Sequence, residues 1–235
     1  MSNERECVTI LLPTFNAVTY IDATILSLLS QTKKNMQILA YDDHSDDGTY
    51  ERLCFWSTVD QRITSRRPFS SNYGCCHLLN QMIDDTHTYY IARQDHDDMS
   101  LPQRIQTQFD FMETKKDAVL CGTQMLSIIE NEQNRIADDY PWESTFINPI
   151  ASRDTPIDSV LKERPRIIGG VMFGIRNVIR KVGSFDQQTF PVEDWDMNLK
   201  LLQEGRSYVL PQILYLRRIH DRELKSQTHR NLQVR

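Results

Sequence analysis

Three acidic clusters have types and spacings that can do chemistry. In Asp95-His96-Asp97 the two carboxylates alternate, so in an extended chain both lie on one side and can face a single divalent cation. Hard oxygen donors of this kind suit Mg²⁺ or Mn²⁺ better than zinc. A bare D-x-D also serves as a solvated acidic turn, since short motifs recur by chance. Asp42 and Asp43 end a second apolar run, where a carboxylate either accepts hydrogen bonds from a nucleotide or satisfies turn backbone. Asp46, Asp47 and Gly48 read as turn and cap. Glu193-Asp194 stands at a helix start, where the macrodipole favours negative charge. The alternative there is a general base that takes a proton from an attacking hydroxyl. Of the six histidines, His220 follows Arg217-Arg218-Ile219, and it reads either as a metal ligand beside Asp97 or as a surface residue.

These groups need elements to hold them. Val8-Thr9-Ile10-Leu11-Leu12 reads as a buried strand ended by Pro13, and Met36 to Tyr41 and Tyr89 to Ala92 as two more. Between them lie helical faces. Ile21, Ile25, Leu28 and Leu29 form the first, with Thr19 and Asp22 placed as a capping box. Asp47 to Phe55 is a second helix, and Cys75, Leu78, Leu79, Met82 and Ile83 mark a third. Ser100-Leu101-Pro102-Gln103 predicts a helix start with Ser100 as N-cap, continued by Ile105, Phe109 and Met112. Gly169 to Ile175 has strand character, and Trp195, Asn198, Leu199 and Leu202 share a helix face that Gly205 ends. Asn131 to Arg166 is polar and proline-rich, with a short helix near Ile157 to Leu161.

Strand and helix alternation predicts an α/β fold with a mostly parallel sheet, covered on both faces by helices. Ligands bind such sheets at the carboxyl ends of the strands, where the acidic clusters fall. The chain has 235 residues, 40% apolar and 25% charged, with 17 Gly plus Pro, a globular composition. Its 27 basic against 32 acidic side chains argue against nucleic-acid binding. The five cysteines include no C-x-x-C pair and read as reduced cytosolic thiols. Met1 to Cys7 lacks the apolar run of a signal peptide, and no stretch suits a membrane helix.

VTILLPTFNA, LSLLSQT, YDDHSDDGT, YIARQDHDD, GGVMFGIR with VGSFD, VEDWDMNLKLLQEG and YLRRIH occur in an order and spacing that resemble a family 2 glycosyltransferase of the GT-A fold, from about Val8 to His220. The resemblance implies one domain over residues 1–220, with a nucleotide-sugar half to about 125, an acceptor half from about 126, and a basic tail over 221–235. It implies an inverting, Mg²⁺- or Mn²⁺-dependent transfer from a nucleoside-diphosphate-sugar, a UDP-sugar favoured, to a glycan or lipid-linked acceptor. Surface polysaccharide or lipid-linked oligosaccharide synthesis in the cytoplasm, at the inner membrane face, is the setting it suggests. Pro13, Thr14, Phe15, Asp43, Arg93 and Asp95 are then the donor-binding residues, with Asp43 at the base and Asp95 near the ribose. Asp97, with Asp95 and His220, is expected at the metal; Asp194 is the expected base, with Glu193 beside it.

Three departures accompany the likeness. Leu78-Leu79-Asn80 stands where Ala-Arg-Asn is common, Phe15 replaces a Tyr, and His96 occupies a position usually small. A sugar-nucleotide binding protein without turnover is the alternative function. A phosphatase of the haloacid-dehalogenase pattern would need Thr where Met99 stands. Arg217 to Arg235 carries six basic and two acidic residues, so Arg217, Arg218, Arg222, Lys225 and Arg230 suit a diphosphate or an anionic membrane surface, and equally a solvated terminus.

Overall fold

The apolar run from Val8 forms β1 (Val8–Thr14), buried along its whole length, as a strand covered on both faces must be. The structure, a computed structural model, describes residues 4–129, 135–136, 149–151 and 167–220. β1 pairs in parallel with β2 (Met36–Asp42) on one side and β4 (Tyr90–Arg93) on the other. β3 (Ile63–Arg66) pairs with β2 in parallel, a strand that the sequence pattern does not announce. β1 continues through Pro13, where the sequence reading ended it. Leu11 O accepts from Gln94 N on the β4 side, and Pro13, two residues on, faces the same side past the last β4 partner. Its missing N–H therefore removes no ladder bond there.

Alternate residues of β1 divide the core. Val8, Ile10 and Leu12 face α1 (Ile21–Leu29), α2 (Thr49–Val59) and α4 (Arg104–Thr114), packing with Ile25, Leu28, Leu53, Trp56, Ile105 and Met112. Leu11 faces α3 (Cys75–Asp85), whose Leu78, Leu79, Met82 and Ile83 share a second core. α5 (Arg176–Lys181) and α6 (Glu193–Leu201) close that side with Ile179, Met197 and Leu201.

The sheet runs β3, β2, β1, β4, then the strands over Phe173–Ile175, Ala118–Ile129, Arg206–Ile219 and Met99–Ser100. β6 (Ala118–Ile129) and β10 (Arg206–Ile219) form a second parallel pair. β9 (Phe173–Ile175) joins the two parallel blocks, antiparallel to both β4 and β6. β5 (Met99–Ser100) lies antiparallel to β10, while β7 (Arg135–Ile136) and β8 (Pro149–Ala151) pair with β6 and β10. The sheet is thus mixed and mostly parallel, as expected.

Several local expectations are corrected. The N-cap of α1 is Tyr20, whose side chain makes no cap bond; Asp22 accepts from Arg52 Nε at 2.6 Å and Trp56 Nε1 at 2.7 Å, tying α1 to α2. Ser100 belongs to β5, and α4 starts at Arg104 behind Gln103. Of the stretch from Gly169, residues 169–171 form a 3₁₀ turn and only Phe173–Ile175 a strand. The buried face of α6 is Glu193, Met197, Asn198 and Leu201, not the face through Trp195 and Leu202. The helix expected near Ile157 to Leu161 and the tail beyond His220 lie outside the described residues.

Candidate active site

The acidic loop after β4 is held from beneath by a buried polar network. Arg104, fully buried, donates from Nη1 to Gln94 Oε1 and Ser100 Oγ at 2.9 Å each, and from Nη2 to Arg93 O at 2.7 Å. Gln94 Nε2 and Asp95 N each donate to Tyr215 Oη of β10 at 3.3 Å. From α1, Thr24 Oγ1 lies 2.8 Å from both His96 O and Asp98 O. With its backbone pinned on three sides, the loop presents its carboxylates in fixed directions.

Each carboxylate has a different partner. Asp97 Oδ2 is 3.0 Å from His220 Nε2. Burial pushes the Asp97 carboxyl up, but the His220 hydrogen bond and the charges of His96 and His220 hold it below the ordinary range. The imidazole of His220 stacks on Tyr20, ring centroids 4.6 Å apart. Arg218 also covers Tyr20 and donates from Nε to Asp97 O, which ties it to the loop rather than to a separate basic tail. Asp98 is buried, takes the Arg218 amide at 2.7 Å, and is driven well above the carboxylate range by burial and by the charges of Asp97 and Asp95.

Asp95 turns the other way. Its Oδ1 takes Arg93 Nε at 3.0 Å, and Arg93 Nη1 reaches Glu193 Oε1 at 3.1 Å. The Arg93 and Glu193 side chains are 10% and 7% exposed. Burial lowers the Arg93 guanidinium, and the neighbouring carboxylates, Asp95 foremost, lift it well above its ordinary value. Asp194, next to Glu193, accepts from Trp195 N at 2.7 Å and from Gly169 N at 3.3 Å. The Gly169-Gly170 turn lies directly on this cluster: a Cβ on Gly169 would stand 2.4 Å from Arg93 Cζ, and one on Gly170 would stand 2.3 Å from Tyr215 Oη.

On the other side of the loop, at the ends of β1 and β2, Thr14 is buried and bonds Tyr41 O, while Phe15 is 43% exposed. Asp42 is fully buried against Arg67 and Ser45. Asp43, expected at a nucleotide base, holds Tyr73 N at 2.9 Å and Gly74 N at 2.7 Å, fixing the entry to α3. Asp47 caps α2 through Thr49, the turn role read from sequence. Leu79, at the position of the absent arginine, and Leu78 before it are both core residues.

The structure therefore brings Asp97 to His220, and Asp95 to Arg93 and Glu193. Of the residues expected at the metal, Asp97 lies at His220 while Asp95 turns to Arg93, and among the described residues no group of three or more His, Cys, Asp or Glu is arranged to hold an ion. Asp97 Oδ2 and His220 Nε2 are hydrogen-bonded at 3.0 Å, so this carboxylate and imidazole could hold a hard cation only with the shared proton displaced. Glu193 is engaged by Arg93, whereas the donors to Asp194 among the described residues are backbone amides. Sequence reasoning missed Arg104, Gln94, Tyr215 and the close approach of Gly169-Gly170; paired glycines before a strand were the available signal.

A mixed α/β sheet with acidic loops at its carboxyl edge is the GT-A architecture of solved glycosyltransferases. Staphylococcus aureus TarS in complex with UDP-GlcNAc superposes with a TM-score of 0.73 at 15% identity, over 92% of this chain and 59% of that one. A mannosyltransferase from Pyrobaculum calidifontis in complex with GDP-Man and Mn²⁺ gives 0.72 at 15%, over 96% and 61%. The glycosyl transferase family 2 model matches residues 9–183, and the chain belongs to that family. Among relatives, an uncharacterized glycosyltransferase of Haemophilus influenzae is 27% identical over 93% of this chain and 67% of its own length. One of Rickettsia typhi is 24% identical over 91% and 64%. A hyaluronan synthase of Pasteurella multocida is 26% identical over 93% of this chain. The chain spans 64% of the Rickettsia relative and 21% of the hyaluronan synthase.

Proposed function

We propose that the chain transfers a sugar from a nucleoside-diphosphate donor to an acceptor hydroxyl with inversion at the anomeric carbon. The observation that carries this reading is the pairing of Asp97 with His220 at one side of the cluster while Asp194 is held by two backbone amides at the other. In the proposed reaction the acceptor oxygen bonds to the anomeric carbon, the bond to the diphosphate oxygen breaks with its electron pair, and Asp194 takes the hydroxyl proton. Asp97 and His220 would hold Mg²⁺ or Mn²⁺, which supplies positive charge to the departing diphosphate. Pro13, Thr14, Phe15 and Asp43 line the nucleoside end, with Asp43 shaping the loop before α3.

A UDP-sugar is the proposed donor and a glycan or lipid-linked hydroxyl the proposed acceptor. Residues to about 125 serve the nucleotide and those from about 126 the acceptor. The name of one relative, a hyaluronan synthase, supports a role in polysaccharide synthesis, and the proposed setting is the cytoplasmic face of the membrane; among the described residues no helix is long and apolar enough to cross one. The test is a panel of UDP- and GDP-sugars with Mn²⁺, followed by thermal shift and by release of nucleoside diphosphate. Wild type should respond in both. Asp194→Asn should still bind the donor and lose transfer by about 10²- to 10⁴-fold. Unimpaired transfer by that variant would overturn the base assignment, and donor binding by wild type without any turnover would favour a binding protein.

A further inference from the structure

Arg93 lies at the end of β4, and its guanidinium joins its own loop to a helix far along the chain. Nε serves Asp95 and Nη1 serves Glu193, so one rigid plane holds two carboxylates 98 positions apart. Its backbone is fixed as well: Arg93 N donates to Met172 O, and Arg93 O accepts from Arg104 Nη2. The side chain is 10% exposed, and two of its five guanidinium N–H donors are engaged by these carboxylates.

The same plane rests on Gly169, where a side chain would stand 2.4 to 2.9 Å from Arg93 Cζ, Nη1 and Nε. Gly169 N in turn donates to Asp194 Oδ2. Two chains of contact thus run from the acidic loop to the start of α6: Asp95 to Arg93 to Glu193, and Arg93 to Gly169 to Asp194. We propose that Arg93 is a positioning residue, a strut that sets the separation between the carboxylates of the loop after β4 and Asp194, rather than a donor contact. The proposal rests on the reading of Asp194 as the base. Lys cannot reproduce it, since a single ammonium lacks the planar fork that reaches both carboxylates at fixed angles. Glu193 is then the anchor of α6 and not a second base.

The experiment compares wild type, Arg93→Lys, Glu193→Gln and the double variant in three readouts: UDP-sugar dissociation constant with Mn²⁺, kcat at saturating donor, and hydrogen exchange of amides 193–201. A base displaced by about an ångström costs about 10²-fold, so each single variant should lower kcat by roughly 10- to 100-fold while the donor constant stays within about twofold. Because both residues act through one contact, the double variant should be no worse than the poorer single. Exchange over 193–201 should quicken in both single variants, with 8–14 unchanged. A tenfold loss of donor affinity in Arg93→Lys that Glu193→Gln does not share would make Arg93 a donor ligand and overturn the proposal. So would unchanged exchange over 193–201. If Asp194→Asn retains transfer, the base assignment fails, while the exchange and affinity readouts still decide for or against the strut.

Discussion

Replacing Gly170 with alanine tests whether the acidic loop is set by the turn that packs on it. A Cβ there would lie 2.3 Å from Tyr215 Oη, 2.8 Å from Tyr215 Cζ and 2.9 Å from Asp95 Oδ2. Ordinary carbon–oxygen contact is about 3.3 Å, so the hydroxyl must retreat by roughly 1 Å. Tyr215 cannot yield cheaply. It is 1% exposed, and its hydroxyl already accepts from Gln94 Nε2 and Asp95 N at 3.3 Å each, near the limit for a hydrogen bond. Losing both bonds costs about 2 kcal/mol, and overpacking adds about 1 kcal/mol or more. For a chain of this size that total, about 3 kcal/mol, lowers Tm by roughly 6 to 12 °C. Gly183→Ala is the control: its φ is +96° with nothing within 4 Å of a Cβ, so it carries backbone strain of about 1 kcal/mol without collision. Calorimetric melting of both variants, with nucleoside diphosphate release as the functional readout, decides the matter. A Gly170→Ala protein that melts within 1 or 2 °C of wild type and releases product at full rate would refute the packing of this turn against the loop.

Arg104→Met should destabilise by about 3 kcal/mol or more, read by urea unfolding, because Arg93 O and Gln108 Oε1 lose their donor inside the core. Asp22, held below the ordinary carboxyl range by its hydrogen bond from Arg52, contributes stability that is present above about pH 4 and is lost as pH falls through its folded value. Asp22→Asn should therefore melt below wild type at pH 7 and converge with it in acid. Burial pushes the Cys75 thiol up to about 12 and Cys76 up to about 11, so iodoacetamide at pH 8 should leave both unmodified in native protein and label them in denaturant, as peptide mass spectrometry would show. Chelation of divalent cations should abolish the thermal shift given by nucleoside diphosphates; a shift that survives EDTA would count against a metal at Asp97 and His220.

What the sequence disclosed and what it hid follow from which forces leave a periodic trace. β1, β2 and β4 are apolar runs in a sheet covered on both faces, and the apolar faces of α1 and α3 match their buried residues. β3 was missed because it is a short edge strand with only Ile63 buried. Ser100 resembles an N-cap locally, but pairing with Tyr215 across the sheet takes it into β5. The face of α6 was misjudged because hydrophobic periodicity ignores a carboxylate buried by an ion pair, and Glu193 is such a residue. Asp43, read as a ligand contact, accepts two backbone bonds from a loop 30 residues away that no local pattern announces. Arg104 gave no signal at all: a fully buried arginine becomes intelligible only once Gln94, Ser100 and Gln108 are known to surround it.

The placement of charge explains why so acidic a cluster is stable enough to exist. Asp95, Asp97, Asp98, Glu193 and Asp194 lie close enough for their charges to influence common neighbours, and at low effective dielectric such crowding is costly. Each is answered differently. Asp95 and Glu193 share one guanidinium, Asp97 has an imidazole, Asp194 has two backbone amides, and burial favours the neutral form of Asp98. Beneath them Arg104, drawn down to about 10 by burial, hydrogen-bonds Gln108, Gln94, Ser100 and Arg93 O, and Asp95 and Asp98 both pull its value back up. It acts as a fixed counter-charge behind the loop. Cations therefore reach these acids from below and from the side, through Arg104 and Arg93, and leave Asp97 and Asp194 as the carboxylates least consumed by the scaffold. That is the division the proposed reaction would use: most of the acid holds the geometry, and two groups would remain to meet a charged donor and a neutral hydroxyl.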